Sequence, residues 1–367
     1  MENFDIEFPP QPSRRCRVFF GNGLFGRAAE YAAALSGESR IAVIADDRVA
    51  PLYGGDLLRH LQAARPKADL VTFPAGEGSK NWQVLGRLLQ RMVELNIGRD
   101  GVVVALGGGV TGDLAGMAAA LHCRGIAWLQ LPTTTLAMAD SAIGGKTAVN
   151  LGGAKNIAGA FHQPAAVFAD LDTLSTLEAR HFSAGLAEVV KTALITDAGL
   201  FARLESAQGA LLDSSSSLLQ QVLARCALLK AEVVARDELE AGERALLNAG
   251  HTIGHALESA SGGQLLHGEA IAISLVLECR LAQKLCRFPG RDLQRLVALL
   301  QSLDLPTAVP AGAVPEDVMR FISADKKNRA GELRFALPEA IGRAVTTGCE
   351  WTVSVDPKDI IGMLRKE

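Results

Sequence analysis

Gly101-Val-Val-Val-Ala-Leu106-Gly107-Gly108-Gly109-Val-Thr-Gly112-Asp113-Leu-Ala-Gly116 runs from an apolar, β-branched stretch through three consecutive glycines into a helical pattern. Read as G-x-G-x-x-G between a strand (Gly101 to Leu106) and a helix (Leu114 to Leu121), it sits where a dinucleotide phosphate loop belongs. Glycines let the backbone approach a pyrophosphate, and the free N–H groups of the helix start hold its charge. No acidic residue follows about 20 positions downstream to take the adenine ribose, as the ordinary fingerprint requires. The available acids are Asp46 and Glu77, both at the ends of earlier strands. On this motif alone a tight structural turn remains the alternative.

Outward from the loop, apolar runs and helical spacings alternate. Arg40 to Ala45, Asp69 to Phe73 and Ile126 to Leu131 read as strands, and Leu57 to Ala64 and Trp82 to Leu95 as helices between them. Such alternation predicts an α/β unit with a parallel sheet. Beyond Asp172 helical patterns dominate: Ala184 to Thr196, Ser217 to Glu238, Ala245 to Ser259, Glu269 to Leu285 and Gly290 to Leu303. Leu333 to Leu337 and Arg343 to Thr347 read as a terminal hairpin. The expected organisation is an α/β nucleotide-binding domain over residues 1–179, then a mainly α-helical metal- and substrate-binding domain over 180–367.

The bulk numbers suit two packed domains. The chain has 367 residues, 49% of them hydrophobic and 21% charged, with a net charge of −3. That charge gives no footing for a nucleic-acid or membrane-surface partner, so an anionic ligand must be met by locally gathered Lys and Arg. Six scattered cysteines (Cys16, Cys123, Cys226, Cys279, Cys286, Cys349) show no CxxC spacing and read as reduced. The acidic start lacks the features of a signal peptide. The longest apolar stretch, Ala270 to Cys279, falls well short of the ~20 residues that span a bilayer. The expectation is a soluble cytoplasmic protein.

Two further polar tracts carry chemistry. Pro132-Thr133-Thr134-Thr135, Asp140-Ser141-Ala-Ile-Gly144-Gly145-Lys146-Thr147 and Lys155-Asn156 form one. Gly-Gly-Lys-Thr resembles the end of a Walker loop, but Asp140 stands where that loop needs its first glycine, which disfavours an ATPase. The second holds three of the chain's seven histidines, His251, His255 and His267, close to Arg244, Asn248 and Glu258. His251 and His255 are four apart and share a helix face, the obvious divalent-metal clamp. Thr252 stands where H-E-x-x-H needs Glu, which disfavours a peptidase. Glu188 and Lys191, three apart on an apolar helix, are costly to bury without partners.

Together these motifs resemble the 3-dehydroquinate synthases of the sugar-phosphate cyclase superfamily, over nearly the whole chain. The matching blocks are Gly107 to Gly116, Pro132 to Thr135, Gly144 to Asn150, Lys155-Asn156, Gly159 to Phe161 and Gln163-Pro164. They continue with Ser183 to Lys191, Lys230 to Val234, Arg244 to Glu258, His267 to Ala270 and Asp325-Lys326-Lys327. The resemblance implies an NAD- and Zn²⁺-dependent lyase, with Co²⁺ as an alternative metal. Such an enzyme cyclises 3-deoxy-arabino-heptulosonate 7-phosphate to 3-dehydroquinate by transient oxidation, β-elimination of phosphate, reduction and intramolecular aldol closure.

The resemblance also divides the histidines. It implies Glu188, His251 and His267 as metal ligands and moves His255 to the substrate phosphate, with Lys146, Asn156, Asn248 and a lysine of Lys326-Lys327. It has Arg124 reaching in from the second subunit of a homodimer. Arg244 and Lys230 hold the substrate carboxylate, where a planar guanidinium suits bidentate pairing, and Lys191 contacts substrate. NAD lies against Asp46, Glu77, Lys80, Gly107, Gly108, Gly109, Asp113, Thr133, Thr134, Asp140 and Lys155. Asn150-Leu-Gly-Gly-Ala-Lys155, His162, Thr192-Ala193 and Ile253 depart from the family pattern beside these positions. They leave room for a sister cyclase of an amino analogue or of sedoheptulose 7-phosphate. A metal-dependent polyol dehydrogenase is the more distant rival.

Overall fold

The structure is a computed structural model that describes residues 15–37, 39–64, 67–152, 154–207, 209–310, 314–323, 332–346, 348 and 350–365. Its first eight strands are β1 (Arg17–Gly21), β2 (Ile41–Asp46), β3 (Ala68–Phe73), β4 (Val102–Gly107), β5 (Ala127–Pro132), β6 (Lys146–Leu151), β7 (Ala154–Phe161) and β8 (Ala166–Asp170). All but β6 and β7 form one parallel sheet in the order β1-β8-β5-β4-β2-β3. Helices α1 (Phe25–Ser36) and α2 (Gly55–Ala64) cover one face, and α3 (Trp82–Glu94) and α4 (Gly109–Leu121) the other.

The two-residue period of a strand explains the continuous apolar runs. Ala42, Ile44, Val103 and Ala105 point into the core beneath α3 and α4. Their neighbours Ile41, Val43, Val102, Val104 and Leu106 point into the core beneath α1 and α2. Both faces of the central strands are thus buried, each Val or Ile contributing about 1.5–3 kcal/mol of apolar transfer. The chain leaves β2 for the edge at β3 and returns to the other side of β2 at β4. That reversal opens a crevice at the carboxyl ends of β2 and β4, where α/β sheets bind ligands.

The mainly helical remainder comprises α5 (Ala179–Thr196), α6 (Ala198–Ser206), α7 (Ser217–Arg236), α8 (His251–Ala260), α9 (His267–Cys286), α10 (Gly290–Ser302), α11 (Pro315–Ser323) and α12 (Pro357–Leu364). Leu186 and Val190 of α5, Leu223 of α7, Ile253 of α8 and Ile271 of α9 share one core. That core also takes in Met138, Ala139 and Ala169, so the helices pack continuously onto the end of the sheet.

Several boundaries differ from the sequence reading. The helix after the glycines begins at Gly109, within the glycine run, and α5 starts at Ala179. Ala245 to Ser259 is not one helix: a 3₁₀ turn over Glu243–Asn248 breaks at Ala249 and Gly250, whose φ is 78°, and α8 starts at His251. Lys146-Thr147 and Lys155-Asn156, read as pieces of a polar tract, lie on the antiparallel hairpin β6–β7, whose Val149, Ala158 and Ala160 pack on the α3/α4 core. The terminal hairpin is paired differently. Strands β9 (Arg334–Phe335), β10 (Pro338–Ala340), β11 (Arg343–Ala344) and β12 (Val353–Ser354) pair as β10 with β11 and β9 with β12. Short strands leave such pairing to tertiary contacts rather than to local pattern. Strands β1 and β8 and helix α1 were not anticipated. The five described cysteines are unbridged. Among the described residues no helix is long and apolar enough to cross a membrane.

Candidate active site

The residues expected to hold a dinucleotide gather at the carboxyl ends of the strands. Asp46 ends β2, where its Oδ1 accepts the backbone N–H groups of Arg48 and Val49 at 3.0 and 2.9 Å. Glu77, in the 3₁₀ turn after β3, accepts from Asn150 Nδ2 at 2.8 Å. Thr133 and Thr134 follow β5, and the Thr133 N–H bonds to the Gly107 carbonyl at 3.0 Å. Lys80 and Asp113 form a buried ion pair beside them. Burial lifts the Asp113 carboxyl above its usual range, against the pull of Lys80.

Helix α4 starts without a side-chain cap, so its first N–H groups are available to an anion. A Cβ on Gly108 would lie 3.2 Å from Thr134 Cγ2, and one on Gly109 3.2 Å from Ser141 Oγ. Side chains there would fill the space over the helix start. The loop therefore fits a pyrophosphate.

The histidine window folds into a cluster. His251 opens α8, His255 lies one turn on, and His267 opens α9. Their ring centroids are 5.1 to 5.5 Å apart, and one nitrogen from each lies within 4.8 Å of the others. Glu188, fully buried on α5, directs Oε1 at this cluster, 3.2 Å from His267 Nε2 and 3.6 Å from His251 Nε2. His251 Nδ1 lies 3.1 Å from the Ala249 carbonyl, which can only accept, so the proton belongs on Nδ1 and Nε2 offers a lone pair. A buried carboxylate oxygen and imidazole nitrogens converging on one point fit a divalent cation.

His267 is flanked by two carboxylates that favour its protonated form. Burial pushes the His267 imidazole down, but hydrogen bonds to Glu188 and Glu258 more than offset it and raise its pKa to about 9. A cation held there by His267 would take the place of that proton.

The surrounding charges alternate in sign along an unbroken chain. Lys230 meets Asp140 at 2.9 Å, and Asp140 lies 3.7 Å from Lys191. Lys191 pairs with Glu188, which faces His267. His267 Nδ1 lies 3.3 Å from Glu258, and Glu258 meets Lys155 at 2.6 Å. Each buried charge thus has opposite neighbours, as burial demands. Burial opposes ionisation of Asp140, but Lys230 and Lys191 hold it well below the usual range. Burial likewise opposes ionisation of Glu258, but its partners His267 and Lys155 keep that carboxyl at about 2.

Arg244 and Asn248 stand at the two ends of the 3₁₀ turn before α8. Arg244 is 1% exposed and donates to the carbonyls of Glu238 and Gly144. Among the described residues it forms no ion pair with a carboxylate. Asn248 donates to Glu240 at 2.8 Å, and the same carboxylate meets Lys146. Asn156 and Lys155 lie on β7, where the Asn156 N–H bonds to Asn150 Oδ1. Arg124 is exposed in the turn after α4, with φ of 68°, and among the described residues pairs with none of the other candidates. Lys326 and Lys327 lie outside the described residues.

Sequence reasoning missed Glu240 and gave Glu258 no role. Glu240 belongs to the acidic run Asp237-Glu238-Leu-Glu240 just before Arg244, a signal hidden by reading that stretch as a helix end. Glu258 reveals itself through its contacts with His267 and with Lys155, 103 residues away.

Known proteins resemble the chain over most of its length. Residues 70–184 match the family described as 3-dehydroquinate synthase N-terminal, and residues 185–328 match 3-dehydroquinate synthase C-terminal. The chain is 46% identical over 332 residues to a 3-dehydroquinate synthase of Acidithiobacillus ferrooxidans, covering 90% of this chain and 91% of the relative. It is 46% identical over 330 residues to that of Xanthomonas axonopodis pv. citri, covering 88% and 89%.

Among solved structures, 2-epi-5-epi-valiolone synthase from Streptomyces hygroscopicus, with NAD⁺ and Zn²⁺ bound, superposes with a TM-score of 0.88 at 29% identity, covering 99% of both chains. A 2-deoxy-scyllo-inosose synthase complexed with carbaglucose-6-phosphate, NAD⁺ and Co²⁺ gives 0.87 at 28%, covering 95% of this chain and 96% of the other. A glycerol dehydrogenase from Schizosaccharomyces pombe, at 17% identity and a TM-score of 0.68, shares the fold.

Proposed function

The chain belongs to the 3-dehydroquinate synthase family, and from that premise we propose that it cyclises 3-deoxy-arabino-heptulosonate 7-phosphate to 3-dehydroquinate with release of phosphate. One observation carries the choice of substrate. Arg244 is a buried guanidinium whose hydrogen bonds go to two carbonyls, with no carboxylate among the described residues in direct ion pair with it. A cation kept there at the cost of desolvation suits a ligand that brings its own carboxylate. A sugar phosphate without a carboxylate brings it no such partner.

Two groups not made by the chain belong to this reading. NAD, when bound, supplies transient oxidation and reduction, and a divalent ion polarises the oxygen at which they occur. The glycine loop, Asp46, Glu77 and the Thr133–Thr134 pair would hold the former, and Glu188, His251 and His267 the latter. The chain's own part is to bind and orient. Arg244, with Lys230, fixes the carboxylate end of the substrate. Lys146, Asn156, Asn248 and His255 take the charge of the departing phosphate. Glu240 now occupies Lys146 and Asn248, so phosphate binding requires that carboxylate to yield. The division near residue 179, a cytoplasmic homodimer and Arg124 reaching across its interface belong to the same reading.

The test is phosphate release from the heptulosonate phosphate by protein supplied with NAD and Zn²⁺. The Arg244→Gln variant should lose roughly 30- to 1,000-fold in kcat/KM, about 2–4 kcal/mol. Turnover of sedoheptulose 7-phosphate in place of the acid, or indifference to Arg244→Gln, would overturn the proposal.

A further inference from the structure

Glu278 of α9 is a buried carboxylate that the reaction does not use. It is 1% exposed. Its Oε2 accepts the N–H of Gly250 at 2.6 Å, and its Oε1 accepts the hydroxyl of Ser274, one turn earlier on the same helix, at 3.2 Å. Burying a carboxylate costs several kcal/mol, so its place needs an explanation.

Gly250 supplies one. It is the N-cap of α8 and has a left-handed φ of 78°, with no side chain to cap the helix. A Cβ there would lie 3.0 Å from Leu275 Cδ2. The orphan donor at this turn is satisfied from a neighbouring helix, by an anion at the positive end of α8. The next residue is His251, whose ring is held at Nδ1 by the carbonyl of Ala249, on the other side of the same turn. The dihedrals of Ala249 and Gly250 thus decide where His251 Nε2 points, and Glu278 fastens them.

We propose that Glu278 is a positioning residue for His251. It acts through Gly250 to hold the imidazole at the distance and angle from Glu188 that a divalent cation requires. This inference rests on the reading of Glu188, His251 and His267 as metal ligands. It is separable from a plain stabilising role, because a cap that served only folding would leave metal affinity and geometry unchanged.

The experiment titrates Co²⁺ into metal-free full-length protein against a competing chelator, recording affinity and the visible absorption of the bound ion. Glu278→Ala should weaken Co²⁺ binding about 10- to 100-fold and change the spectrum. Glu278→Gln, which keeps an acceptor for Gly250 and a donor for Ser274, should recover most of the affinity. Ser274→Ala, which leaves the Gly250 contact in place, should stay within about twofold of the parent.

Glu278→Asp withdraws the carboxylate by one methylene, and it decides the question if Glu278→Ala does not fold. Wild-type affinity and spectrum in Glu278→Asp, or in a folded Glu278→Ala, overturns the proposal whatever happens to the melting temperature. Failure of the parent to bind Co²⁺, or undiminished binding by His251→Ala, would instead overturn the metal assignment.

Discussion

The ammonium of Lys146 faces Glu240 with its side chain 48% exposed. Partial burial, with the nearby charges of Arg244 and Lys230, pushes its pKa down to about 8, against the opposing pull of Glu240. The sign of the effect follows directly. Below about 8 the group is a cation and attracts a phosphate dianion, and above it that attraction is lost. The kcat/KM for a phosphorylated substrate should therefore fall as pH rises through about 8. The limb in kcat should lie higher, because bound phosphate favours the protonated amine. Steady-state profiles of the parent and of Lys146→Met check this, the variant lacking the limb. At the same scale, His162, one of the departures from the family pattern, has a structural task. Its Nε2 bonds to the Ile126 carbonyl at 2.9 Å and its ring stacks on Trp128.

Among the elements, the break between the Glu243–Asn248 turn and α8 matters most. One continuous helix would put Arg244, Asn248 and His251 in fixed rotation about a common axis. The break lets the turn face the Gly144–Lys146 segment while α8 faces Glu188. Gly250→Ala should destabilise the protein by about 1–2 kcal/mol from the left-handed backbone alone, with more from the approach to Leu275. Chemical denaturation measures the loss.

This element also shows what the sequence can and cannot disclose. The residues of the histidine window, the strand ends and the glycine loop were all legible, because local spacing and residue chemistry announce them. The break was not, since Ala-Gly inside an apolar-periodic stretch reads equally well as tolerated helix. Hairpin β6–β7 was lost for a related reason. Its glycines and lysines suggest loop, and only packing on α4 makes its alternation a strand pair. The chain from Lys155 through Glu258 to His267 joins a hairpin to two helices, and no local pattern encodes it.

Across the whole molecule, the site is built where a buried parallel sheet meets a helical core, each packed on its own apolar side chains. Chelating agents should consequently lower the melting temperature by a few degrees while leaving far-ultraviolet circular dichroism unchanged. Saturating NAD should raise stability, by about 2.7 kcal/mol when present at 100 times its Kd. Calorimetry with and without each addition checks both. The alternating chain has one more consequence, visible when its charges are counted. Lys230, Lys191, Lys155 and protonated His267 outnumber Asp140, Glu188 and Glu258 by one. A divalent ion that expels the His267 proton adds one net positive charge. Arg244 adds another, and Lys146 a further one once Glu240 yields. The proposed substrate, a phosphate dianion joined to a carboxylate, brings three negative charges to this positive ground. After the reaction that charge is divided between two separate anions, each free to leave without the other.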